Sequence, residues 1–502
     1  MKALLLYPRY AETFWGFRHA LKFIGKKAAY PPLGLLTVAG MLPADWEKRL
    51  LDLNVSALQD QDLLWADYVF ISAMAVQRES VREILGKCRS LGKKTVAGGP
   101  LFTMEPEEFP EVDHLVLGEA EATLPEFLED LAGGCCRRVY NSPGKPDLVH
   151  TPIPQWDLIN FKDYASMSVQ FSRGCPHHCD FCNITPLFGK QPRLKSTEQL
   201  LAELESLYRR KWRGSVFIVD DNFIGNKAAV KQELLPALIS WMDERNHPFT
   251  FITEASINLA DDDTLLALMR QAGFRNVFVG IETINEEGLK ECRKLQNINR
   301  NLLASIHKIQ GFGLQVSAGF IVGFDSDPPN IFDQVISFIQ QSGIPTAMVG
   351  LLNAPQGTRL FERLKAENRL TVKFSGNNTD FFINFIPKMD HRKLLEGYRR
   401  VVTTIYSPAL YYERILRFFH ECRPEKGVDF PQMVSWVSLK ALFRVAVILG
   451  VLEKGRQHFW KFLLQILLKH PKRLPDALVF AVYGFHFRKI FASHRCKAAD
   501  YN

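Results

Sequence analysis

The chain has 502 residues, 47% of them hydrophobic and 23% charged, with a formal net charge of +8. That length exceeds one ordinary core and predicts two or three domains, and the composition excludes wholesale disorder. From Pro387 onward there are 21 Lys and Arg against 9 Asp and Glu, so the first 386 residues sum to −4 and any anionic partner should meet the tail region.

The nine cysteines are scattered and form no disulfide framework. The apolar run in MKALLLYPRY is too short for a signal peptide and reads as a first buried strand. No stretch reaches ~18 uncharged apolar residues, so no transmembrane span is expected. The default expectation is therefore the reducing cytoplasm.

Residues 1–140 alternate short strands (KALLLYP, KRLLDLN, DYVFISA, KKTVAGG, HLVLGE) with periodic helical stretches such as RESVREILGKCRSLG. Such alternation predicts an α/β, doubly wound, Rossmann-like sheet that binds ligands at the carboxyl ends of its strands. A linker with Pro143, Pro146, Pro152 and Pro154 covers 141–168.

The next region, 169–386, opens on the strand SVQFSRG and the run CPHHCDFC. Cys175, Cys179 and Cys182 are spaced C-x3-C-x2-C on one short loop. Three thiolates so spaced can hold three irons of a [4Fe-4S] cubane and leave the fourth iron open to an external ligand. Two alternatives stand beside this: a zinc site completed by His177 or His178, and three inert thiols. Strands at SVFIVDD, FTFITEA, NVFVGIET, QVSAGFIVGF and TAMVGLLN follow, separated by helices, one of them starting at Ser196 with a capping box to Gln199. Six units are too few for a closed eight-stranded barrel and fit an open six-stranded one.

From 387 to 502 the pattern is helical, with aromatic and basic residues interleaved. Val434 to Leu452 carries Lys440 and Arg444 on one helical face, and Phe459 to Leu468 has Lys461, Lys469, Lys472 and Arg473 nearby. Two fates are open to these apolar faces: packing on the barrel, or lying in a membrane interface.

The run FSRGCPHHCDFCNI resembles the signature of the radical-SAM enzymes. In that family the open iron is chelated by S-adenosylmethionine (SAM), which is then cleaved to a 5'-deoxyadenosyl radical, and the core is an open (β/α)6 barrel. The resemblance implies that Phe181 lies against the adenine, where a plain core aromatic is the alternative. Asp220, Asp221 and Asn222 stand where the family commonly has Gly-Gly-Glu binding the methionine amine, a departure that leaves their individual roles open. Glu254 ends the third strand. Gly280 and Glu282 end the fourth, where the family contacts ribose or carboxylate, and Gly319 to Gly323 resembles the stretch passing the adenine. Each carboxylate has helix capping as its ordinary alternative.

Residues 1–140 resemble the cobalamin-binding domain attached to one branch of that family. The pieces are YPPLGLL (Leu33, Gly34), ISAM (Ser72, Met74), AGGP (Gly98, Gly99) and GEAE (Gly118, Glu119), each of which alone also reads as a helix start or tight turn. Many such domains carry Asp-x-His-x-x-Gly, whose histidine ligates cobalt. Here Asp52, Leu53 and Asn54 stand in that place, with Ala57 where the glycine falls. An amide is a poor cobalt ligand, so no protein histidine is expected on cobalt.

The resemblance implies a cobalamin-dependent methyltransferase. One SAM methylates reduced cobalamin, and a second yields the radical that opens an unactivated carbon to methylation. The tail VFAVYGFHFRKIF resembles that of the hopanoid C-2 methylases and suggests a hydrophobic small-molecule substrate, a hopanoid or other lipid. The basic amphipathic stretches of 434–473 predict peripheral contact with the inner membrane surface, with packing on the barrel as the alternative. An external donor, flavodoxin or ferredoxin, is expected, and no nucleic acid. An oxidative cyclase or rearrangement enzyme is the alternative within the same chemistry, and a non-catalytic cobalamin or redox sensor the alternative outside it.

Overall fold

The computed structural model describes residues 1–421 and 436–497. Cys422, Val434 and Ser435 lie outside the described residues.

The first sheet contains β1 (Lys2–Tyr7), β2 (Glu47–Asp52), β3 (Tyr68–Ser72), β4 (Lys94–Gly98), β5 (His114–Val116) and β6 (Val139–Tyr140). All are parallel, in the order β2-β1-β3-β4-β5-β6. The continuous apolar run of β1 follows from burial on both faces. Leu4 and Leu6 pack into one helix-covered core, Ala3 and Leu5 into the other. Strand order reverses at β1, which puts a crevice at the carboxyl ends of β1 and β3. β6 was not among the expected strands. It is two residues long, too short for any alternation, and is held by the buried Tyr140 ring, whose hydroxyl donates to Asp130 at 2.9 Å.

The second sheet runs β14 (Thr346–Leu351), β13 (Gln315–Val322), β12 (Phe274–Glu282), β11 (Phe249–Ala255), β10 (Gly214–Ile218), β7 (Met167–Val169), all parallel. It ends at β14 on one side and β7 on the other, as an open six-stranded barrel requires. The six strands are those expected from the sequence, and the Ser196–Gln199 capping box opens the Thr197–Arg209 helix, with Leu200, Leu204 and Leu207 buried. A hairpin of β8 (Ser172–Arg173) and β9 (Arg193–Leu194) brackets the cysteine loop.

Alternation along the barrel strands separates two faces. Val216, Phe251, Val277 and Val279 are buried in the main core with the helices, whereas Phe217, Ile252 and Phe278 are only half-buried and stand outside it.

The tail is helical: His391–Ile405, Pro408–Glu421, Trp436–Val447, Arg456–Lys469 and Leu474–Lys497. Its last helix returns to the N-terminal segment. Phe487 stacks on Phe14 at 4.1 Å, and the neighbouring Trp15 stands edge-on to Phe278 at 5.4 Å. The helix expected over Val434 to Leu452 is not uniform, because Ile448–Leu452 widens into a π turn. Nor do Lys440 and Arg444 share an open basic face. Arg444 donates to the carbonyls of Lys22 (2.9 Å) and Phe23 (3.1 Å), satisfying acceptors at the end of the Arg18–Ile24 helix.

Candidate active site

The cysteine loop leaves β8 through Gly174, which has φ +94° and no room for a side chain: a Cβ there would lie 2.9 Å from the Gln191 carbonyl. Asp221 accepts from the Gly174 amide at 2.9 Å, so one expected site residue anchors the loop's root. Farther along, the Cys175 amide donates to Gly189 (3.3 Å), Asp180 to Cys292 (3.0 Å) and Leu360 to Asp180 (2.9 Å). The three thiols are free and half-buried. Burial pushes their pKa values up, that of Cys182 to about 12, while the nearby Lys294 ammonium pulls the other way. Each thiol therefore needs a cation or metal to ionise. Among the described residues no three His, Cys, Asp or Glu side chains are arranged around one ion. A cubane does not need that convergence, because it places a separate iron on each thiolate. Cys292 lies behind the loop as a buried core thiol directed at the Leu289 carbonyl.

Opposite the loop stands a buried ion pair, Glu282 Oε1 to Lys294 Nζ at 2.7 Å. Glu282 has φ +65° at a register shift in β12, and the Asn297 amide secures the Gly280 and Ile281 carbonyls beside it at 3.3 and 3.0 Å. The pair lies against Gly280, where a Cβ would come within 2.2 Å of Glu282 Oε1 and 2.7 Å of Lys294 Nζ and push the two side chains aside. Burial alone would lower the Lys294 pKa, but the charges of Glu282 and Cys179 outweigh it and raise it. Glu254 ends β11 nearby. Burial, then the charges of Asp221 and Glu282, raise it to about 8, so it keeps its proton at neutral pH. Asp221 is raised by burial to about 6.

The other expected residues are placed differently. Asp220 is buried and spent on the fold, accepting from the Phe171 amide (2.8 Å) and the Ser172 hydroxyl (2.6 Å); burial raises it to about 7. Asn222 is tied to Ser256 and, with His177 and Lys227, lines a cavity of about 460 Å³ beside the loop. Phe181 borders a narrow cleft with Cys292 and Phe324. A Cβ on Gly319 would press on the Phe278 ring at 2.9 Å, and Gly323 (φ +105°) turns the chain against Leu394.

The expected corrinoid residues gather at the carboxyl edge of the first sheet. Gly99 (φ +87°) lies so close to Ser72 that a Cβ would meet its Oγ at 2.6 Å, and one on Gly98 would meet the Val116 carbonyl at 2.7 Å. Above Gly34 and Gly118 there is open space, and the Met74 side chain is exposed. Leu33 is half-buried at the first turn of its helix. Asn54 has both ends of its amide engaged, accepting from the Tyr10 amide (3.1 Å) and donating to Asp52 (2.8 Å). Glu119 leaves this group: with Glu121 it is gripped by Arg173 and Arg193 at 2.7–3.0 Å, an ion network that joins the two sheets' domains.

Family models match three stretches of the chain. The B12 binding domain family matches residues 27–128, the Radical SAM superfamily 169–339, and a domain of unknown function, DUF4070, 358–499. An uncharacterised methyltransferase of Synechocystis sp. is 42% identical over 97% of this chain and 91% of its own length. The hopanoid C-2 methylase of Rhodopseudomonas palustris is 32% identical over 93% and 90%. The chain belongs to the cobalamin-binding radical-SAM methyltransferases. Among solved structures, the cobalamin-dependent S-adenosylmethionine radical enzyme OxsB with aqua-cobalamin bound shares the fold, with TM-score 0.63 at 14% identity over 98% of this chain and 84% of that one.

The cofactors of such an enzyme are a [4Fe-4S] cluster, SAM and cobalamin, and the residues present fit them. Free thiols on one pinned loop suit a cubane. The glycines and the exposed Met74 leave a broad open edge for a flat macrocycle. Lys294 and the cross-domain Arg173 escaped the sequence reading, since neither belongs to a motif that marks a partner. With both ends of the Asn54 amide in use, no protein nitrogen should bind cobalt, so the electron paramagnetic resonance spectrum of bound Co(II)alamin should be the same in 15N-labelled and unlabelled protein. A nitrogen splitting that changes when the protein is labelled would show a protein ligand to cobalt.

Proposed function

We propose that this methyltransferase acts on a hydrophobic small molecule, with a hopanoid or similar polycyclic lipid as the first candidate. The observation that carries this reading is the concave face of the barrel. Phe217, Ile252 and Phe278 stand half-buried there, with Trp15 on Phe278 and Tyr30 at 5.3 Å from Phe217, below the polar rim of Asp221, Glu254 and Glu282. A barrel face apolar in its depth and polar at its rim suits an apolar acceptor met by a polar cofactor. The 32% identity to a hopanoid C-2 methylase supports the same choice. When bound, the cofactors supply hydrogen abstraction and the methyl group; the chain's own work is positioning and exclusion of water. Asp221, Glu254 and Glu282 would face SAM, Cys175, Cys179 and Cys182 the irons, and the glycine edge of β4 and β5 the corrinoid. In this reading residues 1–140 hold the corrinoid, 169–386 the cluster and SAM, and 387–502 cover the acceptor.

Electrons would enter over the cysteine loop. Lys190, Arg293 and Arg359 are exposed around His178, whose pKa is lowered by burial and then by these three charges. That face suits an acidic one-electron carrier of the reducing cytoplasm, flavodoxin or ferredoxin.

The test is the acceptor itself. Holoenzyme given SAM labelled in its methyl group should transfer label to the apolar fraction of a total cell extract. Phe278→Asp should lower that transfer at least ~10-fold by putting a charge on the apolar barrel face. Label found only in the water-soluble fraction would overturn the choice of acceptor.

A further inference from the structure

The Arg456–Lys469 helix is apolar on two opposite sides. Phe459, Phe462 and Ile466 are buried in the core, whereas Trp460, Leu464, Leu467 and Leu468, at spacings of four, three and one, are exposed, Leu468 by 75%. A helix apolar on two sides needs apolar partners on both. The described residues cover one side only. The exposed side continues across the π turn, where the Trp460 indole donates to the Gly450 carbonyl at 2.9 Å beside the exposed Val451 and Leu452, and on to Phe443, 71% exposed.

The charges around this surface have one sign. From Lys440 to Arg473 there are eight Lys and Arg and one acidic residue, Glu453. Glu453 turns inward to Arg488 and Lys489. Arg444 is spent on backbone carbonyls and Arg473 lies 3.3 Å from Asp476, while Lys461, Lys469 and Lys472 stay exposed with no ion pair among the described residues. Among the described residues no helix is long and apolar enough to cross a membrane.

We propose that this face, built from the Arg456–Lys469 helix, the π turn and Phe443, docks the enzyme on the surface of an anionic lipid bilayer. An apolar plateau rimmed by lysines matches acyl chains beneath acidic headgroups. A second copy of this chain fits poorly, because a two-fold contact would set each lysine rim against its own kind. The face stands apart from the apolar-acceptor reading: flotation needs neither cofactor nor substrate, so either can fail alone.

The test is flotation of the full chain with vesicles of phosphatidylcholine alone or with a third phosphatidylglycerol. At low salt the protein should float with the anionic vesicles only, and high salt should release it. Lys461→Glu/Lys469→Glu/Lys472→Glu and Leu464→Ser/Leu468→Ser should each lower the floating fraction at least tenfold with unchanged thermal melting. A variant that melts early is replaced by a measurement on native protein: brominated lipid should quench its tryptophan emission, and Trp460→Phe should remove most of that quenching. Wild-type protein left at the bottom with anionic vesicles, flotation unaffected by folded variants, quenching unchanged in Trp460→Phe, or a solution dimer broken by Leu464→Ser/Leu468→Ser would each overturn the proposal.

Discussion

Cys179→Ala protein, reconstituted with iron and sulfide under strict anaerobiosis, is expected to lose the cluster and release no 5'-deoxyadenosine above the level of cluster-free protein. The wild type should hold about four irons and four sulfides. The middle cysteine of the trio sits on a loop fixed from outside the thiols, through Gly174, Asp180 and Leu360. Removing one thiol should therefore take away a ligand while leaving the loop folded, and cobalamin binding at the other domain should persist. Iron and sulfide analysis with electron paramagnetic resonance of the reduced protein checks this. A full cluster in Cys179→Ala, or stoichiometric zinc and no iron in the wild type, would contradict it.

Lys294→Met should lower stability by about 3–5 kcal/mol, because it leaves the Glu282 carboxylate buried and unpaired. Removing both charges in Lys294→Met/Glu282→Gln should recover most of the loss, as neutral replacement of a buried pair commonly does. Urea unfolding followed by tryptophan fluorescence measures the first effect and SAM cleavage the second. The double variant should fold and yet cleave SAM poorly, because it lacks the carboxylate at the barrel rim. A single variant as stable as the wild type would show that the pair is solvated and not part of a buried centre.

Much of this was legible in the sequence wherever a local rule governed it. The barrel strands alternate, β1 is apolar throughout because both its faces are covered, and Ser196 and Gln199 cap their helix where the spacing says they should. The cysteine trio is a single local motif. What stayed hidden depends on distance in the chain. Lys294 reaches Glu282 only because Arg293 takes φ +55° and turns the segment back. Glu119 looked like a strand-end ligand until Arg173, 54 residues later, took its carboxylate. Asp220 and Asp221 are neighbours with separate jobs, one holding Ser172 and the other the root of the cysteine loop. In the tail, the apolar faces were visible as sequence. Which of them the fold would cover was not, because burial there is decided by the Pro408–Glu421 and Leu474–Lys497 helices packing on one side only.

The most direct measurement is product balance in single turnovers of anaerobic holoenzyme with methyl-deuterated SAM, a low-potential reductant and an apolar polycyclic acceptor. S-adenosylhomocysteine and 5'-deoxyadenosine are expected in equal amounts, with one deuterated methyl group carried by the acceptor for each pair. 5'-Deoxyadenosine formed without S-adenosylhomocysteine, and an acceptor altered but unlabelled, would contradict methyl transfer and point to an oxidative cyclase or rearrangement.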